Sequence, residues 1–257
     1  MREGLRIGEY MKKENRKSFN KGFTLVELIC VLVVLAVIAA VLVPSLLGYI
    51  QKVNQRKEIN NARTLLEATQ AQLVELYAAQ GELPEGTPVI SGGRRGVYNG
   101  KPNDDCDIIK TTFAKDVLDL VSMDEYSESN NNGKPYLFMF AVGSNAANTS
   151  TLTNNKVSVH DKYTVYYAVY METEKSCPLY YYNGEWRNDN PRPDNVANNK
   201  KIIDDKNRFS SGPLKGMRIQ YYLLANRSGI DFYQNGNGQG NNKLGFWQML
   251  KDKSLYN

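Results

Sequence analysis

The residues able to do chemistry are few and poorly grouped for catalysis. His160 is the single histidine, which excludes a histidine-rich metal site, and its place at the end of a strand-like run reads as solvated. No GxSxG, HExxH, P-loop or GxGxxG pattern occurs, so the nucleophile-elbow, zincin and phosphate-cradling chemistries lack sequence support. Asp104, Asp105 and Asp107 cluster among turn residues but without EF-hand spacing, and read as a solvated loop rather than calcium ligands. Cys30, Cys106 and Cys177 are odd in number and form no CxxC, against a zinc ribbon or a thioredoxin-like motif. Cys30 sits in an apolar run and behaves as a small hydrophobe. Cys106 and Cys177 could pair if the segment carrying them is exported. Arg94-Arg95 and Lys200, Lys201, Lys206 and Arg208 could meet nucleic-acid phosphates, but aromatic interleaving is poor in both groups, so both read as solvated loop charges. The expectation is no catalytic residue, no metal and no cofactor.

Glu27 is different. It stands at the head of an apolar run, Leu28 to Val43, that holds no charge. From Phe23 to Val43 is 21 residues. At about 1.5 Å per residue such a helix spans about 30 Å, the thickness of a hydrocarbon core. A buried core helix normally keeps a polar stripe, and this run has none. A carboxylate within a bilayer costs about 2.5–3.5 kcal/mol at mid-depth and less near the end. A charge held at such a cost is a functional candidate, with a positive partner expected from elsewhere. The alternative is a helix that simply starts after Glu27.

Charge distribution supports a spanning segment. The chain carries a formal +5. Seven basic residues (Arg2, Arg6, Lys12, Lys13, Arg16, Lys17, Lys21) and three acidic ones (Glu3, Glu9, Glu14) lie in the first 22. The basic balance therefore belongs to the N-terminal segment, not to a nucleic-acid-binding face. Basic flanks stay cytoplasmic, which sends residues after 45 outward. A secretory signal peptide is a poorer fit. Its apolar region is about 7–15 residues with a small-x-small cleavage site, whereas here Ala39-Ala40 leads into Val-Leu-Val-Pro. A plain signal anchor fits the hydropathy but leaves Glu27 unexplained.

The stretch Lys21-Gly22-Phe23-Thr24-Leu25-Val26-Glu27-Leu28 with its apolar run closely resembles the class III leader junction of type IV pilins and pseudopilins. The resemblance covers about residues 12–80. It implies that prepilin peptidase cuts between Gly22 and Phe23 and that Phe23 becomes the N-methylated first residue. It also implies that Glu27 neutralises the terminal amine of a neighbouring subunit in a filament. A buried pair of this kind acts mainly through registry, since one charge without the other is penalised. Pro44 matches a proline common in the family and is expected to kink or locally melt the helix. A leader of 22 residues is long for this resemblance. Met11-Lys12-Lys13 looks like a more typical start, giving a leader of 12.

Residues 1–22 then read as a cleaved leader, 23–44 as a transmembrane and filament-core helix, 45–80 as its amphipathic continuation, and 81–257 as an extracellular globular head. Ile50, Val53, Ala62, Leu65, Leu66, Thr69, Leu73 and Leu76 fall near helical spacing, and Gly81 with Pro84 ends the helix. Residues 81–105 read as loop. Residues 111–123 read as a short helix with Phe113, Val117, Leu120 and Val121 inward. Strands are expected at Tyr136–Val142, 157–159, Tyr163–Met171 (with two apolar faces) and over Met217, Ile219, Tyr221 and Leu223. Leu179–Tyr182 and Glu185–Arg187 flank Asn183-Gly184, the signal for a two-residue hairpin. Residues 188–199 and 235–242 read as polar loops, and 244–251 as a short helix or edge strand. The 42% hydrophobic and 23% charged composition is globular rather than disordered. The 17 tyrosines suit a β-rich, partly wet surface. The class is α+β, one long helix packed on an antiparallel sheet, pilin-like.

The function so implied is a non-enzymatic structural subunit of a type IV pilus or type II secretion-like pseudopilus. It would be a single-pass membrane protein with its head outside, then part of a surface filament. Its partners would be prepilin peptidase, a membrane assembly platform, lipid before assembly, and other copies or other pilins in a helical filament. An alternative is a minor or tip pilin whose large head binds a surface or DNA. An exported enzyme on a signal anchor is opposed by the missing catalytic constellation.

Overall fold

A computed structural model describes residues 22–84, 87–91, 94–98, 101–121, 123, 135–144, 158–191, 201–204, 207–212, 214–228, 249–250 and 253. The chain divides into two compact units, residues 1–52 and 53–257. One helix, α1 (Leu25–Gln80), contributes to both.

In the first unit the described chain is non-helical from 22 to 24 and helical from Leu25. Its apolar side chains are bare: Val41 is 71% exposed and Leu28 56%. This helix is long and apolar enough to cross a membrane.

In the second unit the same helix turns amphipathic. Ala62, Leu65, Ala68, Thr69 and Leu73 are buried, so the inward stripe begins near Ile59 and not, as the spacing suggested, at Ile50 and Val53, which are exposed. Buried Thr69 satisfies its hydroxyl by donating to the Leu65 carbonyl at 2.7 Å. Gln70 bridges from the helix to the sheet, donating to the Tyr163 carbonyl at 2.7 Å and accepting from the Val165 N–H at 2.9 Å. The helix ends at Gly81, whose N–H bonds the Tyr77 carbonyl at 2.8 Å.

The remaining elements are β1 (Arg94–Tyr98), β2 (Lys101–Asp107), α2 (Thr112–Leu120), β3 (Leu137–Ser144), α3 (Val159–Lys162), β4 (Val165–Met171), β5 (Leu179–Tyr182), β6 (Glu185–Arg187) and β7 (Arg218–Asn226). They make one sheet in the order β1-β2-β7-β3-β4-β5-β6. The run β7-β3-β4-β5-β6 is antiparallel, as expected. Strand β2 departs from that expectation, since it meets β7 in parallel at Asp107↔Leu223.

Both faces of the central strands β7, β3 and β4 are buried. Phe138, Phe140, Val142, Tyr170 and Tyr222 join the core shared with α1 and α2, where Phe140 and Tyr222 stack with centroids 5.5 Å apart. Leu137, Met139, Ala141, Tyr167, Val169, Ile219, Tyr221 and Leu223 face the other way, beneath Ile203, Phe209, Met217, Met249 and Leu250. The two apolar faces read from residues 163–171 are thus both covered.

Several sequence readings change. The loop assigned to 81–105 contains the β1–β2 hairpin, closed around Tyr98↔Lys101. That pairing also places Asp104, Asp105 and Asp107 in a strand rather than a loop. Val159 opens α3 rather than ending a strand, because Ser158 and Asp161 form a capping box: Ser158 N–H donates to the Asp161 carboxylate at 2.7 Å and Asp161 N–H to Ser158 Oγ at 3.2 Å. In α2 the buried set is Phe113, Ala114, Val117 and Leu118, while Leu120 is 58% exposed. Residues 249 and 250 are helical; the rest of the expected 244–251 element, the polar loops at 192–199 and 235–242, and residues 1–21 lie outside the described residues.

Candidate functional site

The junction is built by helix-start chemistry. The first N–H groups of any helix lack intrahelical acceptors. Here Thr24 is the N-cap: its carbonyl accepts from the Leu28 N–H at 3.2 Å, and its Oγ1 accepts from the Glu27 N–H at 3.2 Å. Glu27 reciprocates. Its Oε2 accepts from the Thr24 N–H at 2.9 Å and from the Thr24 hydroxyl at 2.9 Å. This is a capping box, and the carboxylate also sits favourably in the first turn, where the helix dipole is positive. Glu27 therefore has local partners that the charge argument alone did not supply. Both donors are neutral, so the carboxylate is held and aimed without a counter-charge from Thr24.

Gly22 and Phe23 precede this cap. Both are outside the helix and exposed, Phe23 at 83%. A Cβ at Gly22 would meet nothing within 4 Å. The fold itself gives no reason for glycine there. Gly22, Phe23 and Glu27 are thus gathered within one turn of the helix start. Pro44 is 17 residues beyond Glu27, about 25 Å along the axis. The helix runs unbroken through it, so the expected local melting is not seen. The Ser45 hydroxyl donates back to the Leu42 carbonyl at 3.0 Å beside it.

The other candidates disperse. Cys177 is a free thiol. Three strands, β7, β3 and β4, separate β2, which carries Cys106, from β5, which follows Cys177. At about 4.8 Å per strand step they stand about 19 Å apart, against the roughly 7 Å limit for bridged Cα atoms. The Cys106–Cys177 bridge is therefore not formed. Burial, and then the nearby Glu58 carboxylate, push the Cys177 thiol up. His160 lies on α3 rather than at a strand end, with its ring 5.9 Å from that of Tyr77. Lys201 is buried, and Arg208 grips Asp204 through Nε at 3.1 Å and Nη2 at 2.9 Å, so neither is a free loop charge. Arg94 and Arg95 lie in β1, while Lys200 and Lys206 lie outside the described residues.

A polar cluster absent from the sequence reading ties α1 to the turn after β4. Asn61 donates to buried Glu172 Oε2 at 2.8 Å, the Tyr170 hydroxyl donates to the same oxygen, and Ser176 Oγ donates to Glu58 Oε1 at 2.8 Å. Burial, then the bond to Glu172, drive the Tyr170 phenol well above its ordinary range. No sequence pattern pairs residues more than a hundred positions apart. Among the described residues no group of His, Cys, Asp or Glu is arranged to hold a metal.

Against known families, the prokaryotic N-terminal methylation motif matches residues 17–43. No curated protein and no solved structure matches the chain. The matched span covers the cap, the bare helix start and the Gly22–Phe23 junction. The matched motif is the class III prepilin leader of type IV pilins and pseudopilins, and the chain carries it.

Proposed function

We propose that this chain is a structural subunit of a type IV pilus or pseudopilus, cut by prepilin peptidase between Gly22 and Phe23 and methylated at Phe23. One observation carries the reading. The methylation motif coincides with a helix whose residues 28–51 hold no charge and expose their apolar side chains, a surface that needs lipid before assembly and other helices after it. The basic N-terminal segment stays cytoplasmic and residues beyond the span go outside. In the filament, Glu27 of one copy meets the new amine of another. The capping box supports this role by keeping the carboxylate at the N-terminal end of its helix. Pro44 supplies the place where the helix can bend, since its ring and missing N–H weaken one turn.

The test is mass spectrometry of surface-sheared filaments. The expected N-terminal peptide begins at an N-methylated Phe23. A leader still attached to assembled material overturns the proposal. Immunogold label along the shaft is expected; label confined to one end would favour the tip-subunit alternative with a binding head.

A further inference from the structure

Resting on the processing reading, we propose that Thr24 is a positioning residue for leader cleavage: its capping box stops the helix two residues after the scissile bond and keeps Gly22–Phe23 extended for the peptidase. Proteolysis needs backbone that can be laid out in an active site, whereas a peptide bond within a helix has its groups turned into the helical ladder. Three features of the junction act in this direction. Residues 22–24 are non-helical, and the helix begins at Leu25. Thr24 Oγ1 takes the Glu27 N–H while Glu27 Oε2 takes the Thr24 N–H, so both ends of the first turn are satisfied without further helix upstream. Gly22, with nothing near its Cα to require glycine, is also the poorest non-proline helix former.

Without the threonine hydroxyl, the Glu27 N–H loses its side-chain acceptor. It and the other first-turn N–H groups gain carbonyl acceptors when the helix extends backward, which winds Phe23 and Gly22 into it. The Thr24 side chain thus acts on the cleaved bond through backbone conformation. The Glu27 carboxylate has the lesser part, because the Thr24 hydroxyl still caps the Glu27 N–H when that carboxylate is removed.

The experiment uses the full precursor in membranes containing a prepilin peptidase and follows leader loss by pulse-chase. Thr24→Val, which keeps shape and removes the hydroxyl, is expected to slow cleavage about fivefold, the population change that follows loss of one N-cap. Thr24→Ser and Thr24→Asn differ in shape but both cap helices, and are expected to cleave within about twofold of the parent. Backbone ¹³C shifts at Gly22 and Phe23 in vesicles should be extended in the parent, Ser and Asn forms and helical in the Val form. Equal cleavage of the Val form and the parent overturns the inference, as do Ser and Asn forms as slow as Val. A slow Val form whose junction stays extended also overturns it, since threonine would then be contacting the peptidase directly. A parent precursor that is never cut after Gly22 would instead remove the processing reading itself.

Discussion

Glu27 carries two properties that different substitutions separate. As an N3 residue it caps Thr24, and glutamine does that as well as glutamate. As a charge it offers an anion to a partner, and glutamine does not. Both Glu27→Gln and Glu27→Ala are expected to insert and to lose the leader, and both to be missing from sheared filaments while accumulating in the membrane fraction. A normal filament yield from Glu27→Gln would assign Glu27 to capping alone. Gly22→Ala is expected to leave the fold unchanged, because the added Cβ meets nothing within 4 Å, yet to stay uncut on an immunoblot of precursor mass. The Thr24-x-x-Glu27 spacing is itself the sequence signature of a capping box, so the local partner of Glu27 was legible. Weighing the carboxylate by its charge alone conceals it.

At the scale of elements, α3 is pressed onto β3. A Cβ on Gly143 would lie 2.8 Å from the Asp161 carbonyl, so Gly143→Ala should cost about 1–3 kcal/mol in chemical denaturation, as overpacking does. Asp161 also sets an acid dependence. Burial pushes its carboxyl up, but hydrogen bonds from the Tyr166 hydroxyl and from Ser158 outweigh this and hold it below the usual range. Its stabilisation is full above the unfolded value, about 3.9, and is lost as pH falls through the lower folded one. Asp161→Asn should flatten that part of a stability-against-pH curve measured between about pH 5 and 2.

The same elements divide what sequence could and could not reveal. The β5–β6 hairpin was readable because Asn183-Gly184, at φ 55° and 84°, lies between the Leu-Tyr-Tyr-Tyr run and the alternating Glu-Trp-Arg. The β1–β2 hairpin has Asn99-Gly100 between its paired ends too, but Lys-Pro-Asn-Asp-Asp-Cys-Asp over 101–107 offers no apolar alternation to read. Val157 and Val159 are β-branched, and at Val159 the Ser158–Asp161 cap overrides that propensity. Strand order and the Asn61–Glu172 bond are non-local and left no trace in any window of residues.

For the whole molecule, the division at 52/53 separates a bare apolar helix from a unit with its own core. Removal of residues 1–52 is expected to yield soluble protein that sediments as one species, whereas the chain from Phe23 onward should require detergent. Aggregation of the shortened form in plain buffer would contradict this. Within the second unit, Leu65 is fully buried against the sheet, and Leu65→Ala should cost about 2–5 kcal/mol in urea unfolding.

Strand β7 closes the sheet from the middle, between β2 and β3, although it is the last strand among the described residues. A ribosome makes β3 long before its neighbour exists, and no local hairpin can fill the gap. Until residue 226 has emerged, the nascent chain holds two unjoined half-sheets with their central edges bare, open to proteases and to mispairing. A stop codon at 217 should therefore leave nothing that resists digestion, and the interval between making β3 and making β7 is when this chain most needs a chaperone.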